Sequence, residues 1–201
     1  MIEKIEEVLF FWFGPIKDGF TVSDRASLWW AGDGKNDRLI SELFGHRVHQ
    51  ALRGELSHWA DSPRGRLALI ILLDQFTRTI FRGSEDAFSG DPAALELCLQ
   101  GRTLGHDQAL EIVERTFFYM PLEHAEQLDK QELSIGCFEQ MLIEVSGRDK
   151  IQVENWLDFA HQHYDQIVRF GRFPHRNAVL GRSSTPEELA FLLQSKSRWG
   201  Q

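Results

Sequence analysis

The chain has 201 residues, 42% of them hydrophobic and 26% charged, with a formal net charge of −8. That is enough apolar material for one sizeable core, and it lies far from the compositions that leave a chain disordered. The balance of 30 acidic against 22 basic residues excludes a general nucleic-acid or anionic-membrane surface, because such partners need a net basic face that releases counterions.

At the start, MIEKIEEVLFFWFGP carries an apolar run of only six residues, Val8 to Phe13, closed by Gly14 and Pro15. A signal peptide needs a basic start and a longer apolar stretch, and a membrane span needs about 20 residues, so a cytoplasmic protein is expected. From there on, apolar residues recur at three- and four-residue spacing and sustained period-two alternation is missing, so the expected fold is all-α. In chain order the spacing predicts helices near Ile2–Phe13, Asn36–Arg53, Ser62–Phe81, Asp91–Leu104, Asp107–Thr116, Glu123–Val145 and Gln152–Phe170, and a last one from Thr185. Three starts are marked by a capping residue followed by proline: Ser62-Pro63, Asp91-Pro92 and Thr185-Pro186. Short polar turns between such helices favour antiparallel neighbours, about eight to ten of them in a single domain over 1–201. No fixed-period repeat is present, and the tetratricopeptide consensus does not recur at its ~34-residue spacing.

Cys98 and Cys137 lack any CxxC or CxxxH neighbourhood and read as small core residues. His46 and His49 share a helix face and His58 follows, but no HExxH-type companion accompanies them, so no metal is expected. The chain has no GxSxG elbow, phosphate loop or dinucleotide fingerprint, which leaves covalent-hydrolase and nucleotide-cofactor chemistry without a signal, and no cofactor is expected.

Three stretches could carry chemistry. In RLALIILLDQFTRTIFRG (66–83) the first half is apolar all round, whereas Asp74, Gln75, Arg78 and Arg82 share one stripe. That stripe is either solvated, with one intrahelical ion pair, or directed into a cavity where arginine forks hold a carboxylate or phosphate. In RTFFYMPLEHAEQLDKQE (115–132), Pro121 is expected to interrupt or restart the helix and so place His124 and Glu126 near a helix start, where backbone amides favour an anion. His163 projects into the apolar face of its helix, as a core histidine bonded to a backbone carbonyl or as an acid/base group. The helix then runs into RFGRFPHRN (169–177), where Gly171 suits a left-handed cap and Phe170 and Phe173 anchor a corner. Arg169, Arg172, His175 and Arg176 crowd positive charge there, to be neutralised by a bound anion or by Asp74, Asp91 or Glu126.

LDQFTRTIFRG (73–83), AFSGDPAAL (87–95), FFYMPLEHAE (117–126) and HYDQIVRFGRFPHRN (163–177), with WW at 29 and 30, resemble the bacterial family catalogued as domain of unknown function 924. The resemblance covers nearly the whole chain and implies an all-helical, tetratricopeptide-like fold without an established activity. Family members often have Asn where this chain has Thr79, and Ser where it has Ala125. Weighed together, the stretches suggest a polar pocket for a small anionic molecule bearing a carboxylate or phosphate. Arg78, Arg82, Arg169, Arg172 and His175 would bind the ligand, and His124, Glu126, His163 and Asp74 would supply acid–base catalysis if the pocket catalyses. The alternative is a non-enzymatic helical scaffold that binds a peptide or protein in an open groove with exposed Trp29, Trp30 or Trp59. Neither nucleic acid nor membrane is an expected partner, and sequence says nothing of oligomeric state.

Overall fold

The computed structural model describes residues 2–30 and 34–194. The protein is all-α, with one two-strand ribbon among the described residues. Contacts sort it into two compact units, Met1–Arg82 with Asp86–Pro121, and Gly83–Glu85 with Leu122–Gln201. Each is taken by itself.

Unit one opens with α1 (Ile2–Phe13), whose buried Ile5, Val8, Leu9, Trp12 and Phe13 follow the 3.6-residue period. Gly14 ends the helix, and an antiparallel ribbon follows, β1 (Ile16–Lys17) against β2 (Phe20–Thr21), with Ile16 opposite Thr21. Asp18 and Gly19 both have positive φ at its turn, the twist a two-residue hairpin loop requires. In the short α2 (Ala26–Trp30), Trp29 donates its indole N–H to the Trp12 carbonyl at 3.1 Å. Its ring meets Phe117 edge-on at 4.8 Å, and Trp30 stacks on the same Phe117. Such aromatic pairs add about 0.5–1.5 kcal/mol beyond the area they bury. Trp30 is 50% exposed but Trp59 is buried, so the sequence expectation of an exposed indole at 59 is corrected: its apolar ring is part of the core.

After α3 (Gly34–Leu52), the segment expected as one helix from Ser62 forms three consecutive pieces. α4 (Pro63–Ile70) starts where the Ser62 hydroxyl accepts from Gly65 N at 3.2 Å, the expected cap. A π-helical turn covers Ile71–Phe76, and α5 (Thr77–Ile80) continues from it. Every side chain from Gly65 to Thr77 is buried, as an all-round apolar pattern demands. The wide turn is held where Thr77 Oγ1 donates to the Leu73 carbonyl at 2.6 Å. Gly90 packs on that same carbonyl, so closely that a Cβ would fall 2.1 Å from the oxygen.

Gly90, and not Asp91, is the N-cap of α6 (Asp91–Thr103), and no side chain caps it; the Asp91 carboxylate is engaged elsewhere. The segment expected as a helix from Asp107 is a single 3-10 turn, Asp107–Ala109, followed by α7 (Ile112–His124). Pro121 sits inside α7 and does not end it. The expectation of a helix start is therefore overturned for His124, whereas Glu126 directly precedes Gln127, the N-cap of the next helix. His124 is the last residue of α7, at the negative end of its dipole.

Unit two is built on the hairpin of α8 (Leu128–Glu144) and α9 (Gly147–Phe170), in which Cys137, Phe138 and Met141 of α8 and Val153, Trp156 and Ala160 of α9 are buried. α9 ends as expected at Gly171, whose φ of 68° is the left-handed region that favours glycine. A 3-10 turn, Pro174–Arg176, and α10 (Pro186–Gln194) complete the unit. Among the described residues no helix is long and apolar enough to cross a membrane.

Two glycine substitutions should move stability in opposite directions. Gly90→Ala forces the Leu73 carbonyl to shift and is expected to cost about 1–3 kcal/mol in urea unfolding. Gly136→Ala meets nothing within 4 Å inside α8 and is expected to add about 0.5–1 kcal/mol.

Candidate functional site

In unit one the Asp74–Arg78–Arg82 stripe is not solvated. Asp74 has no exposed surface, and the Arg78 side chain is 13% exposed. Arg78 lies 3.3 Å from Asp74 across one turn and grips Asp91 with both arms of its fork, at 2.8 and 3.0 Å. Gln75 adds an amide hydrogen bond to Asp74. Arg82 forks onto Asp37 at 3.1 and 3.2 Å. A charge this far out of water needs a partner of opposite sign, and breaking such a buried pair typically costs about 3–5 kcal/mol. These residues hold α5 to α6 and to α3.

In unit two the end of α7 is stabilised by Gln131 of α8. Its amide donates to the carbonyls of Glu123 at 2.6 Å, Ala125 at 2.8 Å and Leu122 at 3.3 Å, satisfying oxygens that a helix terminus leaves without intrahelical partners. This fixes Glu123 and His124. Glu123 is buried, and its carboxylate lies 3.5 Å from Nδ1 of buried His163. The same Nδ1 is 2.8 Å from the Phe159 carbonyl. A carbonyl can only accept, so Nδ1 carries the hydrogen and the neutral ring presents Nε2 as its lone-pair nitrogen. His163 is thus a core histidine bonded to a carbonyl and also a member of a histidine–carboxylate pair.

Rings continue outward from that pair. His124 lies 6.1 Å from His163, His163 lies 5.5 Å from Phe173, and Phe173 lies 5.6 Å from His175. The Arg176 guanidinium covers Phe173 at 4.6 Å, a cation–π contact. His124 and His175 are half-buried, whereas His163 is 6% exposed.

Around the rings, the cations of RFGRFPHRN are answered by acids. Arg172 forks onto Glu188 at 2.7 and 2.9 Å and donates to the Ser183 carbonyl. Arg169 pairs with Glu187 at 2.8 Å, both being more than half exposed. Glu126 accepts from Phe173 N at 2.8 Å and from both arms of Arg182 at 2.6 and 2.9 Å. Burial alone would raise the Glu126 carboxyl, but Arg182 and the Phe173 N–H bring it below its ordinary value. Glu188 is lowered further, to about 2, first by Arg172 and then, against desolvation, by the Thr185 N–H. Thr185 and Glu188 also exchange side-chain-to-backbone hydrogen bonds at 2.7 and 3.2 Å, a capping box that starts α10.

The structure therefore gathers His124, His163 and His175 into one row. It places Glu126, Arg169 and Arg172 in the ion pairs of the corner, Asp74 and Arg78 in a network with Asp91, and Arg82 against Asp37. Glu126 does serve the corner, as one expected alternative had it, though through Arg182; Asp74 and Asp91 serve Arg78. Sequence reading missed Glu123, Gln131, Arg182, Glu187 and Glu188. Only the Thr185-x-x-Glu188 capping spacing could have flagged one of them. Among the described residues no group of three or more histidine, cysteine, aspartate or glutamate side chains is arranged to hold a metal ion.

No curated protein matches the chain. A solved structure of a protein of unknown function from Agrobacterium tumefaciens is similar, with a TM-score of 0.80 and 33% identity, covering 96% of this chain and 99% of that one. The family model for bacterial proteins of unknown function, DUF924, matches residues 8–196, and the chain belongs to that family.

Proposed function

We propose that unit two binds a small anionic molecule, carboxylate or phosphate bearing, at the row of imidazoles, with His124 and His175 touching it and the His163–Glu123 pair holding or moving a proton. The observation that carries this reading is the row itself: a half-buried imidazole, His124, beside the buried His163 that is paired with a carboxylate, and a second half-buried imidazole, His175, beyond the Phe173 ring. A buried imidazole beside a carboxylate is the combination that general acid–base chemistry uses, the carboxylate orienting the ring and stabilising its charged form. Of the expected arginine clamps, Arg169 is the one a ligand can recruit cheaply. Its pairing with Glu187 is solvent-exposed, and such pairs contribute about 0–1 kcal/mol. Arg172 is reserved for Glu188, and Asp74, Arg78 and Arg82 are reserved for holding unit one together. A tetratricopeptide-like stacking of the helices belongs to the same proposal and draws on the α8–α9 hairpin. A cytoplasmic setting belongs to it as well, supported by two buried cysteines that are not joined in a disulfide.

Thermal unfolding in inorganic phosphate, succinate and citrate tests the site. At least one anion is expected to raise the melting temperature of the wild type by several degrees, and His124→Ala and His175→Ala are each expected to remove the rise while leaving the ligand-free melt near its wild-type value. No rise with any of the three, or a rise that survives both substitutions, contradicts the proposal.

The acids of the corner make a second expectation. Carboxyls lowered by folding stabilise the folded state above their unfolded value near 4.5, and that contribution is lost as pH falls toward the folded value, about 2 for Glu188. Urea midpoints should therefore drop between pH 4.5 and 2, and Glu188→Gln should flatten that drop while lowering the midpoint at pH 7. An unchanged slope in Glu188→Gln would remove Glu188 as its source.

A further inference from the structure

Unit one carries a surface feature that the imidazole row does not use. α1, α3 and the segment leading through α2 enclose a groove of about 680 Å³, with Phe10, Phe11, Leu28, Leu39, Leu43 and Phe44 as its apolar lining. Phe11 and Phe44 meet edge to face at 5.0 Å. Along the groove Phe10 is 63%, Leu39 40% and Leu43 53% exposed. Large apolar residues exposed singly are ordinary, but three along one groove, with Leu39 and Leu43 one helical turn apart, form the kind of contiguous patch that marks docking.

The charges of the groove say what docks. Arg47 and Glu7, both in the lining, pair with each other. Asp24 accepts from the Ala26 N–H at 2.8 Å through Oδ1. Arg25 is different. Its Nε donates to the Phe13 carbonyl at 3.3 Å, and no carboxylate among the described residues pairs with it. Its guanidinium comes up against Gly14, where a Cβ would fall 2.0 Å from Nη2. The backbone thus leaves room for a positioned fork whose one bonded partner among the described residues is a neutral oxygen. A fork held in this way is complementary to a carboxylate.

We propose that this groove binds an amphipathic helix of a partner protein. Apolar side chains at i, i+3 or i+4, and i+7 seat on Phe10, Leu39 and Leu43, and one acidic side chain is held by Arg25. A helix face supplies an apolar row and an acid at fixed spacing, which a groove walled by two helices accepts along its length. The proposal stands independently of the imidazole row in unit two.

Panning a phage-displayed library of random 16-residue peptides on the full chain, with counter-selection on Leu43→Asp, tests it. Recovered sequences are expected to share apolar residues at helical spacing and an acid near one end. A synthetic peptide of that sequence should bind the wild type at least tenfold more tightly than Leu43→Asp or Phe10→Asp in fluorescence anisotropy, with the thermal melts of both variants unchanged because both positions are exposed. Arg25→Gln should weaken binding several-fold, and replacing the peptide's acid by glutamine should weaken binding to the wild type but cost nothing further against Arg25→Gln. Several results overturn the proposal: no recovered binders, binders indifferent to Leu43→Asp, or an acid whose removal costs the same on both proteins. Wild-type self-association in sedimentation that disappears in Leu43→Asp overturns it too, by making a second copy of the chain the occupant. Displacement of the peptide by micromolar sodium dodecanoate makes it a small amphiphile.

Discussion

A guanidinium drawn out of water needs acceptors in its place, and at several helix junctions of this protein the acceptor is an acid from far along the chain. Arg78 is held by Asp91, thirteen residues on; Arg82 by Asp37; Arg172 by Glu188; and Arg182 by Glu126, fifty-six residues back. Arg64 on α4 bridges Glu6 of α1 and Glu114 of α7. Partners that distant cost loop-closure entropy to assemble and contribute only once the helices are packed, so they report on tertiary structure more than on local stability. The acidic excess of the composition has a structural use. With 30 carboxylates against 22 bases, a cluster as basic as RFGRFPHRN can be neutralised from within, and the positive charge that looked like a ligand site becomes largely the fastening of a corner.

That explains which parts of the molecule were legible in advance. Helix positions were, because apolar spacing, Ser62-Pro63, Thr185-Pro186 and Gly171 act within a turn or two of themselves. The π-helical turn over Ile71–Phe76 was not, because an all-round apolar run reads the same whether its hydrogen bonds skip four residues or five. What holds the wide turn is only partly local: the Thr77 hydroxyl reaches back four residues to the Leu73 carbonyl, while the bare Cα of Gly90 packs beside that oxygen from farther along the chain. Pro121 misled for a related reason. Proline forfeits one N–H, here the one that would reach the Phe117 carbonyl, and crowds the preceding turn, yet the helix runs on to His124, where Gln131 satisfies its last carbonyls, a residue no spacing rule connects to 122 to 125.

For the candidate site, the histidines could be named but their relations could not. His163 on an apolar face was readable as a core residue or as an acid–base group, and the structure makes it both, because one nitrogen meets the Phe159 carbonyl and the Glu123 carboxylate together. Glu123 was invisible, being one position from His124 in a stretch where several acids had equal claim. Glu126 had the better sequence argument, yet its oxygens are occupied by Arg182 and the Phe173 amide. Glu123 lies within the last turn of α7, whereas Glu126 follows two residues after the helix has ended at His124, so the first carboxylate meets the histidine and the second the corner.

The ion pairs of the corner then identify which groups can respond to a ligand. Glu126, Glu187 and Glu188 are tied to Arg182, Arg169 and Arg172. The imidazoles of His124, His163 and His175 stand outside those three pairs. An anion that binds there would favour protonated rings, and by linkage protonation would favour the anion. A region whose arginines are tied to acids and whose imidazoles can take up a proton can respond to both pH and ligand without disturbing the ion pairs that hold it in place.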